Sequence, residues 1–217
     1  MINSSEPFAR PLLTDEGGAR DYVRSLADSE KAWACLEQYT QLLVEENQRQ
    51  NLISKPSEED IWVRHIADSA QLLEHAGPIH GNAGPWLDLG TGPGLPGLVI
   101  AILRPQIHVV LVESRHRRVE FLEGCVASLG LQNCDVRGER LEKVTPFSAK
   151  IISARAFAPL EKLLRLSAPF STKETRFLLP KGRSAAHELE TVKPSIRTTF
   201  HVKHSLTDAD AGIIVSK

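Results

Sequence analysis

The stretch WLDLGTGPGLPGLVIAIL, residues 86–103, sets four glycines and two prolines between two apolar runs. Neither a helix nor a strand continues through such a cluster, so the chain must turn sharply there. At Gly90, Gly92 and Gly94 the missing Cβ permits dihedrals and close approaches that a side chain would obstruct. The run before the turn reads as a strand over residues 86–89, and the run after it as a helix over 95–103. A strand, a tight glycine turn and a helix leave free backbone N–H groups at a helix start, which is a place for a ligand.

The segments that follow repeat this grammar. Strands are predicted over residues 108–113, 134–137, 150–153, 175–179, 199–204 and 212–216, and helices over 115–129, 159–168 and 184–191. Seven short apolar strands alternating with helices imply an α/β fold: a largely parallel, twisted, seven-stranded sheet with helices on both faces. Its connections should be right-handed, and ligands should lie beyond the carboxyl ends of the strands where strand order reverses.

Before residue 85 the pattern is helical. Residues 1–15 read as a loose arm, and residues 16–47 as two helices broken near Asp28 and Ser29. After a turn at 51–56, Ser57 is the expected N-cap of one helix over 58–75, with acids in its first turn. The Gly and Pro cluster at 77–85 closes this module. The expected division is therefore an arm and helical module over 1–84, packed on a Rossmann-like domain over 85–217.

Composition limits the function classes. A chain of 217 residues, 41% hydrophobic, buries one sizeable core. No apolar segment approaches the roughly 18–20 residues that span a bilayer, and no basic start precedes an apolar core, so a cytoplasmic protein is expected. Cys35, Cys125 and Cys134 form neither a CxxC pair nor a cluster with His; they are expected to be buried thiols, with no metal. The net charge of −1 hides an asymmetry: residues 1–84 carry 7 Lys/Arg and 14 Asp/Glu, residues 85–217 carry 19 and 13. The basic part could face phosphates, or both signs could simply solvate a surface.

Gly92, Gly94 and Gly97 satisfy GxGxxG, and Glu113 follows 21 residues after Gly92 at the end of the next strand, where it could bond ribose hydroxyls. Many nucleoside cofactors share that geometry. Asp88, beside the turn, would repel a pyrophosphate yet suit a cationic ligand, and the chain is short for two mononucleotide halves plus a catalytic domain. S-adenosylmethionine (AdoMet), with a ribose, an adenine, an ammonium, a sulfonium and no phosphate, fits better than a dinucleotide.

The chain resembles the bacterial ribosomal small subunit methyltransferase G family (RsmG, or GidB). The resemblance rests on NLIS at 51–54, VRHIADS at 63–69, LDLGTGPGLPG at 87–97, VLVES at 110–114, SARAFAPL at 153–160 and LLPKG at 178–182. It implies a class I AdoMet-dependent methyltransferase with an N-terminal helical extension. It also implies transfer of a methyl group to N7 of a guanine in the 530 loop of 16S rRNA, in free rRNA or in the small ribosomal subunit, by an expected monomer. One departure is the DADAGIIV run before the last strand, where the family often carries a basic residue.

Candidate cofactor residues are Asp88, Gly90, Thr91, Gly92, Gly94, Leu95 and Glu113, with Leu141 and Glu142 implied by the resemblance as an adenine wrap. Guanine N7 carries a free lone pair, so its methylation needs placement and electrostatics and no general base. Arg155 is the candidate catalytic residue, at the crevice mouth and beside the cofactor. Candidate RNA contacts are Arg64, His65, Arg115, Arg117, Arg118, Phe157, Lys181 and Arg183; Asn51, Asp68 and Ser69 are candidate anchors of the helical module. Each has a plainer reading: Arg115, Arg117 and Arg118 as a solvated helix start, Phe157 as core. An AdoMet-dependent methyltransferase acting on another RNA site or on a small molecule, and a non-catalytic RNA-binding module, remain as alternatives.

Overall fold

The computed structural model describes residues 11–78 and 84–217. Its strands are β1 (Trp86–Leu89), β2 (Val109–Val112), β3 (Cys134–Arg137), β4 (Ile151–Ser153), β5 (Arg176–Gly182), β6 (Phe200–His204) and β7 (Gly212–Ser216). They form one sheet in the order β3-β2-β1-β4-β5-β7-β6. β1 to β5 are parallel, as the alternating pattern predicts, and β7 runs antiparallel between β5 and β6. Residues 205–211 are enough for a hairpin and too few for a crossover, which dictates the antiparallel β6–β7 pair. β5 runs to Gly182, past the expected end at 179, because β7 pairs with it across an irregularity at Pro180/Gly182.

β1, β2 and β4 are buried along their whole length, as parallel strands covered on both faces must be. Side chains alternate. Trp86, Val109, Leu111 and Ile151 join one core, while Leu87, Leu89, Val110, Val112 and Ile152 join the other. The first core is roofed by α1 (Glu16–Leu26), α2 (Glu30–Asn47), α6 (Gly97–Leu103) and α7 (His116–Ser128). The second is closed by α8 (Leu160–Ser167) and α9 (Ala185–Thr191).

The break between α1 and α2 lies where expected. Asp15 Oδ1 accepts from Gly18 N at 2.9 Å, and Ser29 Oγ from Ala32 N at 3.1 Å, so each helix has its own side-chain cap. Residues 11–14, part of the expected arm, form no helix or strand and meet the sheet end through Leu13 N, which donates to Leu206 O at 2.7 Å. The rest of that arm, and residues 79–83 of the Gly/Pro cluster, lie outside the described residues.

The helix expected over 58–75 starts earlier and is irregular. α3 (Lys55–Glu59) is preceded by Ser54, with Pro56 in a first turn that needs no N–H from it. Ser57 is therefore inside the helix and caps nothing; its Oγ donates to Ser54 O at 2.8 Å. A wide π-helical segment, Trp62–Ala67, follows, then α4 (Asp68–Ala70) and α5 (Leu72–Ala76). The Glu16 carboxylate accepts from Val63 N at 2.8 Å and Trp62 N at 3.1 Å, which fastens the segment to α1. A short α10 (Pro194–Arg197) precedes β6. No helix among the described residues is long and apolar enough to cross a membrane.

Candidate functional site

Strand order reverses between β1 and β4, so the crevice opens between the loops that leave their carboxyl ends. The first is the glycine loop. Gly90 (φ 60°) and Gly92 (φ 61°) adopt left-handed backbone that strains any L side chain. They differ in what surrounds them. A Cβ on Gly90 would lie 2.5 Å from the Phe157 ring, whereas one on Gly92 meets nothing nearer than Arg118 Nη1 at 3.6 Å. The backbone at Gly92 is thus open on the side where a ligand would sit.

Asp88 organises this loop from below. Oδ1 accepts from Ser153 Oγ at 2.6 Å, and Oδ2 from Gly97 N at 3.0 Å and from the Thr91 hydroxyl. It is 0% exposed, and burial pushes its carboxyl pKa up against the pull of those three bonds. Asp88, expected to face a cationic ligand, and Thr91, expected at the cofactor, are 0% and 2% exposed and are bonded to each other. Both act by holding the loop. Leu95, also buried, belongs to the core, and its N–H, like that of Gly94, donates to Thr91 O at 3.0 Å; these turn bonds delay the start of α6 to Gly97. From the opposite side Tyr39 of α2 donates its hydroxyl to Pro93 O at 3.0 Å.

Glu113 ends β2 buried, with Oε1 accepting from Ser114 N at 2.7 Å and Arg115 N at 2.9 Å. Oε2 lies 3.6 Å from Arg118 Nη1. At that distance the oxygen retains acceptor capacity, and the same Arg118 nitrogen lies 3.6 Å from where a Cβ on Gly92 would sit, which puts the pair beside the glycine loop. Leu141 and Glu142 start a 3₁₀ turn after β3; the Leu141 side chain is in the core, which leaves Leu141 only its backbone for a ligand, and Glu142 is exposed. Arg115 is exposed at the start of α7. Arg117 turns away from the crevice, beside Glu46, Arg49, Glu120 and Phe121, and its carbonyl accepts from Gln50 Nε2 at 3.0 Å.

The second loop, after β4, carries Arg155, 23% exposed, and Ala156 in left-handed backbone at φ 52°. A cleft of about 940 Å³ opens beside it, lined by Arg155, Phe157, Arg64, His65, Asp68 and Asp208 among others. Arg155 Nη1 donates to His65 Nδ1 at 3.3 Å, Asp68 Oδ2 at 3.4 Å and Arg64 O at 3.5 Å. Arginine only donates, so Nδ1 must be the acceptor nitrogen and Nε2 carries the proton toward Ser57 Oγ at 2.9 Å. Burial, with the Arg155 and Arg64 charges beside it, pushes the His65 pKa down to about 3. The ring is neutral near pH 7, and both nitrogens are engaged.

The other sequence candidates differ in what they bond. Lys181, proposed from its charge as a phosphate contact, is 7% exposed and donates to Ala158 O at 2.6 Å and Glu188 Oε1 at 3.0 Å. It lines the same cleft but ties the Arg155 loop to α9, with its charge already paired. Ser69 bonds within its own helix, to His65 O at 2.6 Å, and does not anchor the module across the crevice. Asn51 is exposed; nearby Asn47 organises the module internally, with Oδ1 accepting from Leu52 N and Ile53 N and Nδ2 donating to Glu58. Asp68 does cross, with Oδ1 accepting from Thr207 Oγ1 at 3.1 Å. Arg183 is exposed and lies 3.6 Å from Asp210. Sequence reasoning missed Gln71, which bonds Leu206 N at 2.7 Å, and Tyr39; both look like ordinary helix residues until the loops they reach are known.

Cys125 and Cys134 are buried and their thiols pushed up to about 12, while Cys35 is only half-buried. Among the described residues no group of three metal-ligating side chains occurs.

A family model described as rRNA small subunit methyltransferase G matches residues 33–212. The chain belongs to that family. The ribosomal RNA small subunit methyltransferase G of Erythrobacter litoralis is 50% identical over 206 residues, covering 95% of this chain and 98% of the relative. That of Sphingopyxis alaskensis is 50% identical over 210 residues, covering 95% and 88%. In fold, the precorrin-6y C5,15-methyltransferase from Geobacter metallireducens superimposes with a TM-score of 0.52 at 12% identity, over 77% of this chain and 91% of that one. The architecture is the class I AdoMet-dependent methyltransferase fold with an N-terminal helical extension. This family member is accordingly a methyltransferase acting on rRNA.

Proposed function

We propose that this enzyme binds AdoMet in the β1–β4 crevice and methylates N7 of a guanine in the 530 loop of 16S rRNA, free or in the small subunit. When bound, AdoMet supplies an electrophilic methyl group on a sulfonium. The open backbone at Gly92 receives it, Glu113 Oε2 accepts from its ribose, and backbone at Leu141 and Glu142 borders its adenine; Gly94, whose missing Cβ makes room for Leu98, shapes the turn. The reading is supported by the unfilled space at Gly92 and the buried acid at the end of β2.

The observation that carries the N7 assignment is the state of His65. Both its nitrogens are committed and its pKa is far below neutrality, so it takes no proton from a nucleophile. An acceptor that already has a lone pair needs no base, and guanine N7 is such an acceptor. Arg155, held by the π-helical segment through one terminal nitrogen, keeps the rest of its fork for the base or its phosphate. Phe157 offers a ring at the same mouth. Exposed Arg64, Arg115 and Arg183 are the phosphate contacts this geometry allows.

Arg155→Ala tests the assignment. Methyl transfer to small subunits should fall about a hundredfold or more, as for loss of a charged group in the transition state, while AdoMet affinity measured by calorimetry changes little. Equal losses in both would place Arg155 on the cofactor alone.

A further inference from the structure

We propose that Asp208, in the loop between β6 and β7, reads the Watson–Crick edge of the target guanine and so sets the base specificity of the reaction. The inference rests on the proposed N7 chemistry. With N7 turned toward the methyl donor, a purine presents its opposite edge to the rest of the cleft. In guanine that edge carries two donors, N1–H and the 2-amino group, and a carboxylate accepts from both; adenine presents a lone pair at N1, which a carboxylate repels.

Three carboxylates line the cleft that holds Arg155 and Phe157: Asp68, Glu188 and Asp208. Asp68 is consumed by Gln71 Nε2 at 2.9 Å, Thr207 Oγ1 at 3.1 Å and Arg155 at 3.4 Å. Glu188 receives both the Lys181 Nζ at 3.0 Å and the Leu160 N–H on Oε1, and its charge is neutralised by that buried ammonium, which an RNA phosphate cannot draw away. Asp208 is placed differently. Its Oδ1 accepts from Asp210 N at 3.0 Å, which fixes the carboxylate, while Oδ2 faces Arg64 Nη1 at 3.4 Å. The Arg64 side chain is 50% exposed, so this is a long pair open to solvent, of the kind that holds its partners weakly. An RNA phosphate at Arg64 takes over that charge and leaves Oδ2, already oriented, to the cleft. Arg64 also connects the two ends of the site, since its carbonyl accepts from Arg155 Nη1.

The test compares guanosine with inosine at the target position, in small subunits reconstituted from ligated 16S rRNA. Inosine keeps N7, O6 and N1–H and lacks only the 2-amino group. The wild-type enzyme should prefer guanosine in kcat/KM by about tenfold or more, the worth of a hydrogen bond to a charged acceptor. In Asp208→Ala that ratio should collapse toward one, with the AdoMet-induced thermal shift unchanged. Asp208→Asn, which keeps the shape and loses the charge, should lower the ratio several-fold. A purely structural role slows both substrates alike; an unchanged ratio in either variant, or a wild-type ratio near one, overturns the proposal. Mapping the methyl group in the wild-type guanosine product separates the two readings. Label away from N7 overturns the reaction assigned above and this inference with it, whereas label at N7 with an unchanged ratio overturns only the role of Asp208.

Discussion

At the scale of single residues the glycine loop separates folding from ligand binding. Gly90 and Gly92 have nearly the same left-handed backbone, yet only Gly90 has a protein atom, the Phe157 ring, where a Cβ would go. Gly90→Ala should therefore lower the protein's stability by about 2–3 kcal/mol, through strain plus displacement of Phe157, with or without AdoMet. Gly92→Val should cost about 1–2 kcal/mol of strain yet remove AdoMet binding, because its side chain enters the open space. Denaturant melts paired with calorimetric titration distinguish them, and full AdoMet affinity in folded Gly92→Val would contradict the site. The glycines and Glu113 were legible in the sequence because turn chemistry and strand ends are local. Lys181 and Asp88 were not: which way a charge points depends on partners far along the chain, such as Ala158 and Ser153.

At the scale of elements, the strands and the long helices followed from periodicity and caps, and the failures lie where tertiary bonds override local preference. Ser57 looked like an N-cap, but Pro56 favours a first helical turn and draws the start back to Ser54. Nothing periodic marks the π-helical segment; its N–H groups are met by Glu16, 46 and 47 residues away. The junction of β1, the glycine loop and β4 depends on Asp88, which accepts from three donors, one of them the Gly97 N–H that cannot reverse its role. Asp88→Asn must turn an amide N–H toward one of these donors. The expected outcome is a stability loss of about 1–3 kcal/mol in denaturant melts, accompanied by weaker AdoMet binding. An unchanged midpoint and affinity would show that the loop holds its shape without this acid.

At the scale of the whole molecule, the expected division at residue 84 becomes a proposal about dependence. Ala19, Val23, Leu36, Tyr39, Leu43 and Ile66 share one apolar core with Leu98, Ile100 and Leu103 of α6 and Leu111 of the sheet. Tyr39 supports the glycine loop and His65 and Asp68 hold Arg155, so the helical module completes the site as well as the core. Removing residues 1–84 should expose that face and yield a chain without a cooperative thermal transition; a soluble fragment that melts cooperatively and binds AdoMet would make the module an accessory. The exposed Arg64 and Arg183 have Asp208 and Asp210 as their partners, across 3.4 Å and 3.6 Å.

The proposed reaction delivers a methyl group from AdoMet to guanine N7 of 16S rRNA. Small subunits and naked 16S rRNA from a strain lacking the enzyme, incubated with the protein and methyl-labelled AdoMet, give the direct measurement once the label is mapped to a nucleotide and an atom. Label at N7 of one guanine in the 530 loop is the expected result; label at N1 or N2 of a guanine, or at a nucleotide outside that loop, would contradict it.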